Sequence, residues 1–166
     1  MRASHAFALG LLVVIAGIGS WWFLTGRQPP APSSITVYYT ATDGTTLVPW
    51  RVTLGPARDR RSVAFYAAVQ AVAGPAAGID AVRFPNGTRV VAVDLNGTSA
   101  SVDLSDDVGH AVEGSYAESA EFKALVFTLT GLPGIDSVDV RVGGRRVATL
   151  PGGHLELDEP LTRTSF

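Results

Sequence analysis

The chain has 166 residues, a length that fits one compact domain plus additional sequence. Lysine and arginine total 13 against 15 acidic residues, a formal net charge of −2, so nothing in the composition attracts a nucleic acid. Cysteine is absent, which excludes disulfides, thiolate metal sites, cysteine nucleophiles and a lipid-modified N-terminal cysteine.

Residues 6–25, AFALGLLVVIAGIGSWWFLT, run without a charge. At about 1.5 Å rise per residue, a helix of this length crosses roughly 30 Å of hydrocarbon. Residues 1–26 therefore read as an N-terminal transmembrane anchor. A cleaved signal peptide is the alternative, but its apolar region would be shorter and would end at a small-x-small site. Trp21 and Trp22 sit where an interfacial aromatic belt belongs. Arg2 and His5 before the span, set against Arg27 after it, place the N-terminus in the cytoplasm and the rest outside. Residues 27–34, RQPPAPSS, form a proline-rich linker of extended geometry. The folded domain is expected over residues 35–166.

Within it, ITVYYT places Ile35, Val37 and Tyr39 on one side of a strand, and LVPWRVTL does the same for Val48, Trp50, Val52 and Leu54. Pro49 lacks an amide donor and marks this second strand as an edge. Ser62 is the expected N-cap of a helix whose buried stripe is Phe65, Ala68, Val69 and Val72, ended by Gly74 and Pro75. In RVVAVDLNGTSASVDL, Val91, Val93 and Leu95 alternate with Val90, Ala92 and Asp94, and Ala100, Val102 and Leu104 alternate with Ser99, Ser101 and Asp103. Asn96-Gly97 between the two runs is a hairpin signal. Ser115 and Glu118 have capping-box spacing, followed by a stripe of Phe122, Leu125, Val126 and Leu129. TGLPG then reads as a corner: Gly131 is the expected left-handed C-cap, and Pro133 prevents the helix from resuming. A phosphate cradle would need the opposite helix end. Val138, Val140 and Val142 alternate in the next strand, Gly143-Gly144 turns, and RRVATL returns.

The order β-β-α-β-β-α-β-β, with strands apolar on one face, gives an α+β fold. Two helices are expected on one face of a mixed or mostly antiparallel sheet.

Several stretches resemble the GerMN domain family. They are AVAGPAAGI, FPNGTRV, VDLS, VFTLTGLPGIDSVDVRVGG and GGHLELDEPLTR, in order from residue 71 to residue 163. The resemblance implies an α+β domain without known catalytic residues, placed outside the cytoplasmic membrane. It also implies a role in sporulation and spore germination, where similar domains help to assemble or maintain an envelope-spanning complex.

The richest chemical cluster is DLSDDVGHAVEGS, with Asp103, Ser105, Asp106, Asp107, His110 and Glu113. It offers oxygen ligands for a divalent cation, or a Ser-His pair, but Asp and Ser also arise from turn and capping chemistry. Its spacing matches neither the calcium-loop nor the H-E-x-x-H pattern. His154 with His110 would make a zinc pair only with carboxylates that the sequence does not specify. His154 otherwise belongs to a surface or edge-covering tail. Arg58, Arg60 and Arg61 form a basic cluster suited to anionic lipid or wall polymer, or to a solvated loop. No catalytic, cofactor or metal residue is assigned from the sequence, and no cofactor is expected. The leading expectation is a non-catalytic, membrane-anchored module of the bacterial envelope that binds other envelope proteins or itself. A cell-wall glycan or lipid binder is the alternative, and a hydrolase ranks third.

Overall fold

A computed structural model describes residues 33–55, 59–110 and 115–166. The expected membrane span, linker residues 27–32, Arg58 and Glu113 lie outside the described residues. Among the described residues no helix is long and apolar enough to cross a membrane.

Strands β1 (Ser34–Thr40) and β2 (Leu47–Thr53) form an antiparallel hairpin that sets Val37 opposite Trp50 and Tyr39 opposite Val48. β1 thus begins one residue before the expected domain boundary. Its turn is tied by Asp43, whose Oδ1 accepts the amides of Thr45 and Thr46 at 2.8 Å and whose Oδ2 accepts the Thr46 hydroxyl at 2.6 Å. Those bonds, the Thr46 hydroxyl first, hold the Asp43 carboxyl down to about 2 from its ordinary 3.8. A depressed folded pKa stabilises the turn above the unfolded value, and that contribution is lost as pH falls from about 3.8 through about 2. The Thr45 and Thr46 amide resonances are therefore expected to titrate together near pH 2. A midpoint near 4 would show the turn is not held this way.

Helix α1 (Arg60–Ala73) starts earlier than expected. Asp59 is the N-cap, accepting the Ser62 amide at 3.0 Å, while the Ser62 hydroxyl donates back to Asp59 at 2.7 Å. Its buried residues are Val63, Ala64, Ala67, Ala68, Ala71 and Val72. At about 100° per residue this arc is centred on alanines, and Phe65 falls at its rim. Phe65 is exposed, against expectation. The small side chains let α1 lie close to its neighbours.

Strands β3 (Val90–Asn96), β4 (Ser99–Leu104), β5 (Ser137–Val142) and β6 (Arg145–Arg146) form one mixed sheet in that order. β4 and β5 run parallel because helix α2 (Ser115–Leu129) carries the chain back between them. The expected single sheet is instead two sheets. The outer side of β1 is occupied by other groups: Tyr38 N–H donates to Thr128 Oγ1 of α2 at 2.9 Å, and Thr40 O accepts the Val82 amide at 2.8 Å. No strand can add there.

The β3–β4 turn also differs from expectation. Asn96 pairs with Ser99, so the two-residue loop is Gly97-Thr98, and positive φ occurs only at Gly97, not at Asn96. β3 carries a bulge as well: Val90 opposes Leu104, then Ala92 opposes Asp103. The extra residue, Val91, is turned outward and is 57% exposed, which lets both Val90 and Val93 face the core.

The core joins the inner faces of both sheets to the helices through Val37, Val93, Val102, Leu104, Phe122, Leu125, Val126, Leu129 and Val138. α1 packs on β1, β3 and α2, and α2 packs on β1 and β5. Neither helix backs β2 to the same extent. Trp50 therefore stays 47% exposed although its partner Val37 is fully buried.

At the TGLPG corner the left-handed residue is Gly134, not Gly131. Gly131 is needed for space: a Cβ there would meet the carbonyls of Phe127 and Thr128 at 3.2 and 3.3 Å. Two arginines pin the corner. Arg60 donates to Gly134 O at 3.0 Å, and Arg163 donates to Thr130 Oγ1 at 2.8 Å while lying over the Phe127 ring. After β6 the tail is irregular. It buries Leu150, Leu157 and Leu161, and Leu161 exchanges two hydrogen bonds with Val138 along the free side of β5.

Candidate interaction surface

The acidic loop after β4 holds the residue types that could carry a reaction, and its hydrogen bonds show what they do. Asp103, near the end of β4, accepts the Gly144 amide at 2.8 Å, joining that strand to the β5–β6 turn. Ser105 is buried; its hydroxyl donates to Asp107 at 3.0 Å and accepts the Arg89 amide at 3.1 Å. His110 Nδ1 and an Arg89 nitrogen approach the same Asp107 carboxylate at 3.6 and 3.7 Å. Ser105 and His110 thus meet Asp107 from two sides. A nucleophile needs the imidazole between the hydroxyl and the carboxylate, and here the order is different. Asp106 lies beside Gly143. His154 enters through its backbone, donating to Glu118 Oε2 at 2.7 Å. Among the described residues no three His, Cys, Asp or Glu side chains are grouped to hold a metal ion.

Glu118 departs furthest from its expected role. The side chain of Ser115, the other half of the expected capping box, lies outside the described residues. Glu118 is 1% exposed, and its Oε2 accepts the amides of both His154 and Leu155, fastening the tail to α2. Its Oε1 is buried with no hydrogen-bond partner, against Gly153, where a Cβ would collide with it. The S-x-x-E spacing hides this role. The signal that points to it is the Gly152-Gly153 pair, which permits a carboxylate to approach the backbone closely.

A surface able to take a partner is left at the sheet edges. The β1 edge is occupied by Thr128 and Val82. The tail covers β5, and β6 is only two residues long. On β2, Pro49 opposes Tyr38, whose amide points away from the hairpin to Thr128, so the proline nitrogen faces outward where a donor would be needed. That edge is blunted, as expected.

The β3 edge is different. Asn96 and Ser99 flank a two-residue loop and form a hydrogen-bonded pair, so the alternation turns the backbone of Val93 and Leu95 away from β4. Arg61 reaches over this edge from α1. Its Nε donates to Val93 O at 2.8 Å, and its Nη2 pairs with Asp94 at 2.7 Å on the far face. Beside it runs a groove of about 390 Å³ lined by Arg61, Ser62, Phe65, Val91, Ala92 and Val93. Phe65 and Val91 are 38% and 57% exposed here. Of the expected basic cluster, Arg61 thus joins the groove and Arg60 is turned to the TGLPG corner.

Known proteins share this architecture. The Germane family model, described as sporulation and spore germination, matches residues 36–148. The first GerMN domain of the sporulation protein GerM from Bacillus subtilis is similar with a TM-score of 0.63 at 23% identity, over 80% of this chain and 99% of that one. The tandem GerMN domains of the same protein give 0.59 at 22% identity, over 80% of this chain and 46% of that one. A protein from Clostridium perfringens assigned as a lipoprotein gives 0.59 at 17% identity, over 83% of this chain and 93% of its own. These likenesses show the fold. No curated protein matches the chain.

Proposed function

The chain belongs to the Germane family of sporulation and spore-germination domains, and from that premise we propose that it is a non-catalytic module of the bacterial envelope, anchored by residues 6–25 and displayed outside the cytoplasmic membrane to bind other proteins. The apolar run before the domain and the likeness to a clostridial protein assigned as a lipoprotein support a membrane-tethered setting. One observation carries the interaction role. The polar groups of the acidic loop are engaged in building the fold, whereas the β3 edge keeps outward backbone groups next to exposed Phe65 and Val91. A strand edge that no other strand covers, beside apolar side chains, suits recognition by an added strand or a packed partner surface.

The test is complementation of a deletion strain. Asp107→Asn and His110→Ala, singly or together, are expected to restore the wild-type envelope or spore phenotype. Phe65→Glu with Val91→Glu, both on the surface, is expected to abolish complementation at normal protein level. The reverse pattern would mean that the acidic loop does chemistry and the proposal fails.

A further inference from the structure

We infer that Arg61 is a guard on the β3 edge: its guanidinium keeps the strand closed to the addition of another strand. The guard stands whether or not the proposed interaction role does. Resting on that role, it also selects the mode of recognition, leaving packing on Phe65 and Val91 and shutting out strand pairing.

The need for a guard lies in β3 itself. Val90, Val91, Ala92, Val93 and Leu95 make a strand of high β propensity, with Asp94 its single charge and no proline. Such an edge is a template for pairing with other chains unless something blunts it. Among the described residues every other edge has its device. Thr128 and Val82 occupy β1, Pro49 blunts β2, the tail bonds Val138 on β5, and β6 is two residues long. Without Arg61, β3 would be the exception.

The geometry fits that task. Beyond the bulge at Val91, the backbone groups that face outward are those of Val93 and Leu95. Arg61 Nε donates to Val93 O at 2.8 Å, the place that the amide of an added strand would have to take. Neighbouring strands run about 4.8 Å apart, so the guanidinium also fills the lane that a partner backbone needs. Arg61 is held there from both ends. Its stem rises from the first turn of α1, which Asp59 caps, and its Nη2 pairs with Asp94 at 2.7 Å. That ion pair is exposed and adds little by itself. What closes the edge is the charged hydrogen bond to Val93 O and the bulk lying over it. Phe65 and Val91 stay exposed with the clasp shut, so packing of side chains against them is not obstructed.

The test titrates full-length protein in detergent micelles with a labelled peptide of residues 89–96, a copy of β3. A second titration uses the same peptide N-methylated at alternate residues, which keeps its side chains but cannot bridge two strands. The wild type is expected to bind both weakly. Arg61→Ala is expected to bind the unmethylated peptide at least about tenfold tighter and the methylated one no better. Adding Leu95→Pro, which removes an outward donor, is expected to cancel the gain. Asp94 and Ser101 bond each other's backbone across β3 and β4, and their amide protection should be unchanged in Arg61→Ala. Equal affinity of wild type and Arg61→Ala, an equal gain for the methylated peptide, a gain that survives Leu95→Pro, or lost protection at Asp94 and Ser101 overturns the inference. Complementation bears on the interaction role alone, so a failure there and a failure here are told apart.

Discussion

Glu118→Ala is expected to destabilise the domain by about 3 kcal/mol, because two tail amides lose a charged acceptor at once. The carboxylate is 1% exposed, so water cannot take its place without opening the tail. Glu118→Gln is expected to cost roughly half as much. It keeps one acceptor for His154 and Leu155, and the oxygen it replaces is the one without a partner. Urea midpoints measure the totals. Amide exchange at His154 and Leu155 locates them, and both amides should lose protection in the alanine variant before α2 does. Unchanged protection there would show that the buried leucines hold the tail and that Glu118 is incidental.

The second large effect belongs to Phe122. It is fully buried at the centre of the core, and its ring meets Phe84 edge to face at 5.6 Å and 80°. Phe122→Ala is expected to cost about 4 kcal/mol, the lost transfer energy plus the cavity left behind. Against a typical total of about 5–15 kcal/mol this leaves a domain close to its unfolding threshold. Phe84 comes from the irregular segment after α1, so the ring pair is what ties that segment to α2. A double-mutant cycle with Phe84→Leu should return a coupling of about 1 kcal/mol. A Phe122→Ala loss below about 1.5 kcal/mol would mean the site collapses around the gap.

Local signals in the sequence are reliable where the structure depends on neighbours in the chain. The stripe of Phe122, Leu125, Val126 and Leu129 is fully buried, Gly74 ends α1, and Pro49 sits on an open edge as its missing donor requires. Features set by distant partners are not legible. The outward turn at Val91 needs a two-against-one pairing with β4, which no alternation rule contains. Helical spacing puts Phe65 on the buried arc because it defines an arc but not which of its rims is covered. Splitting into two sheets follows from Thr128 and Val82 reaching β1 from far along the chain. The interaction surface is legible only in outline: an exposed edge is expected, but the clasp of Arg61 over Val93 joins residues 32 apart in sequence.

The parallel pairing of β4 with β5 has a consequence for how the molecule comes into being. The two hairpins close locally, within a few residues of their turns, whereas the β4–β5 ladder must wait until all of α2 has been made. Contacts of such long span slow the search for the native arrangement. The last piece, Leu161 on Val138, comes from the tail well after β5. A polypeptide emerging residue by residue would hold two finished hairpins while β5 still lacked the tail that covers it, and it would close only when Leu161 arrived.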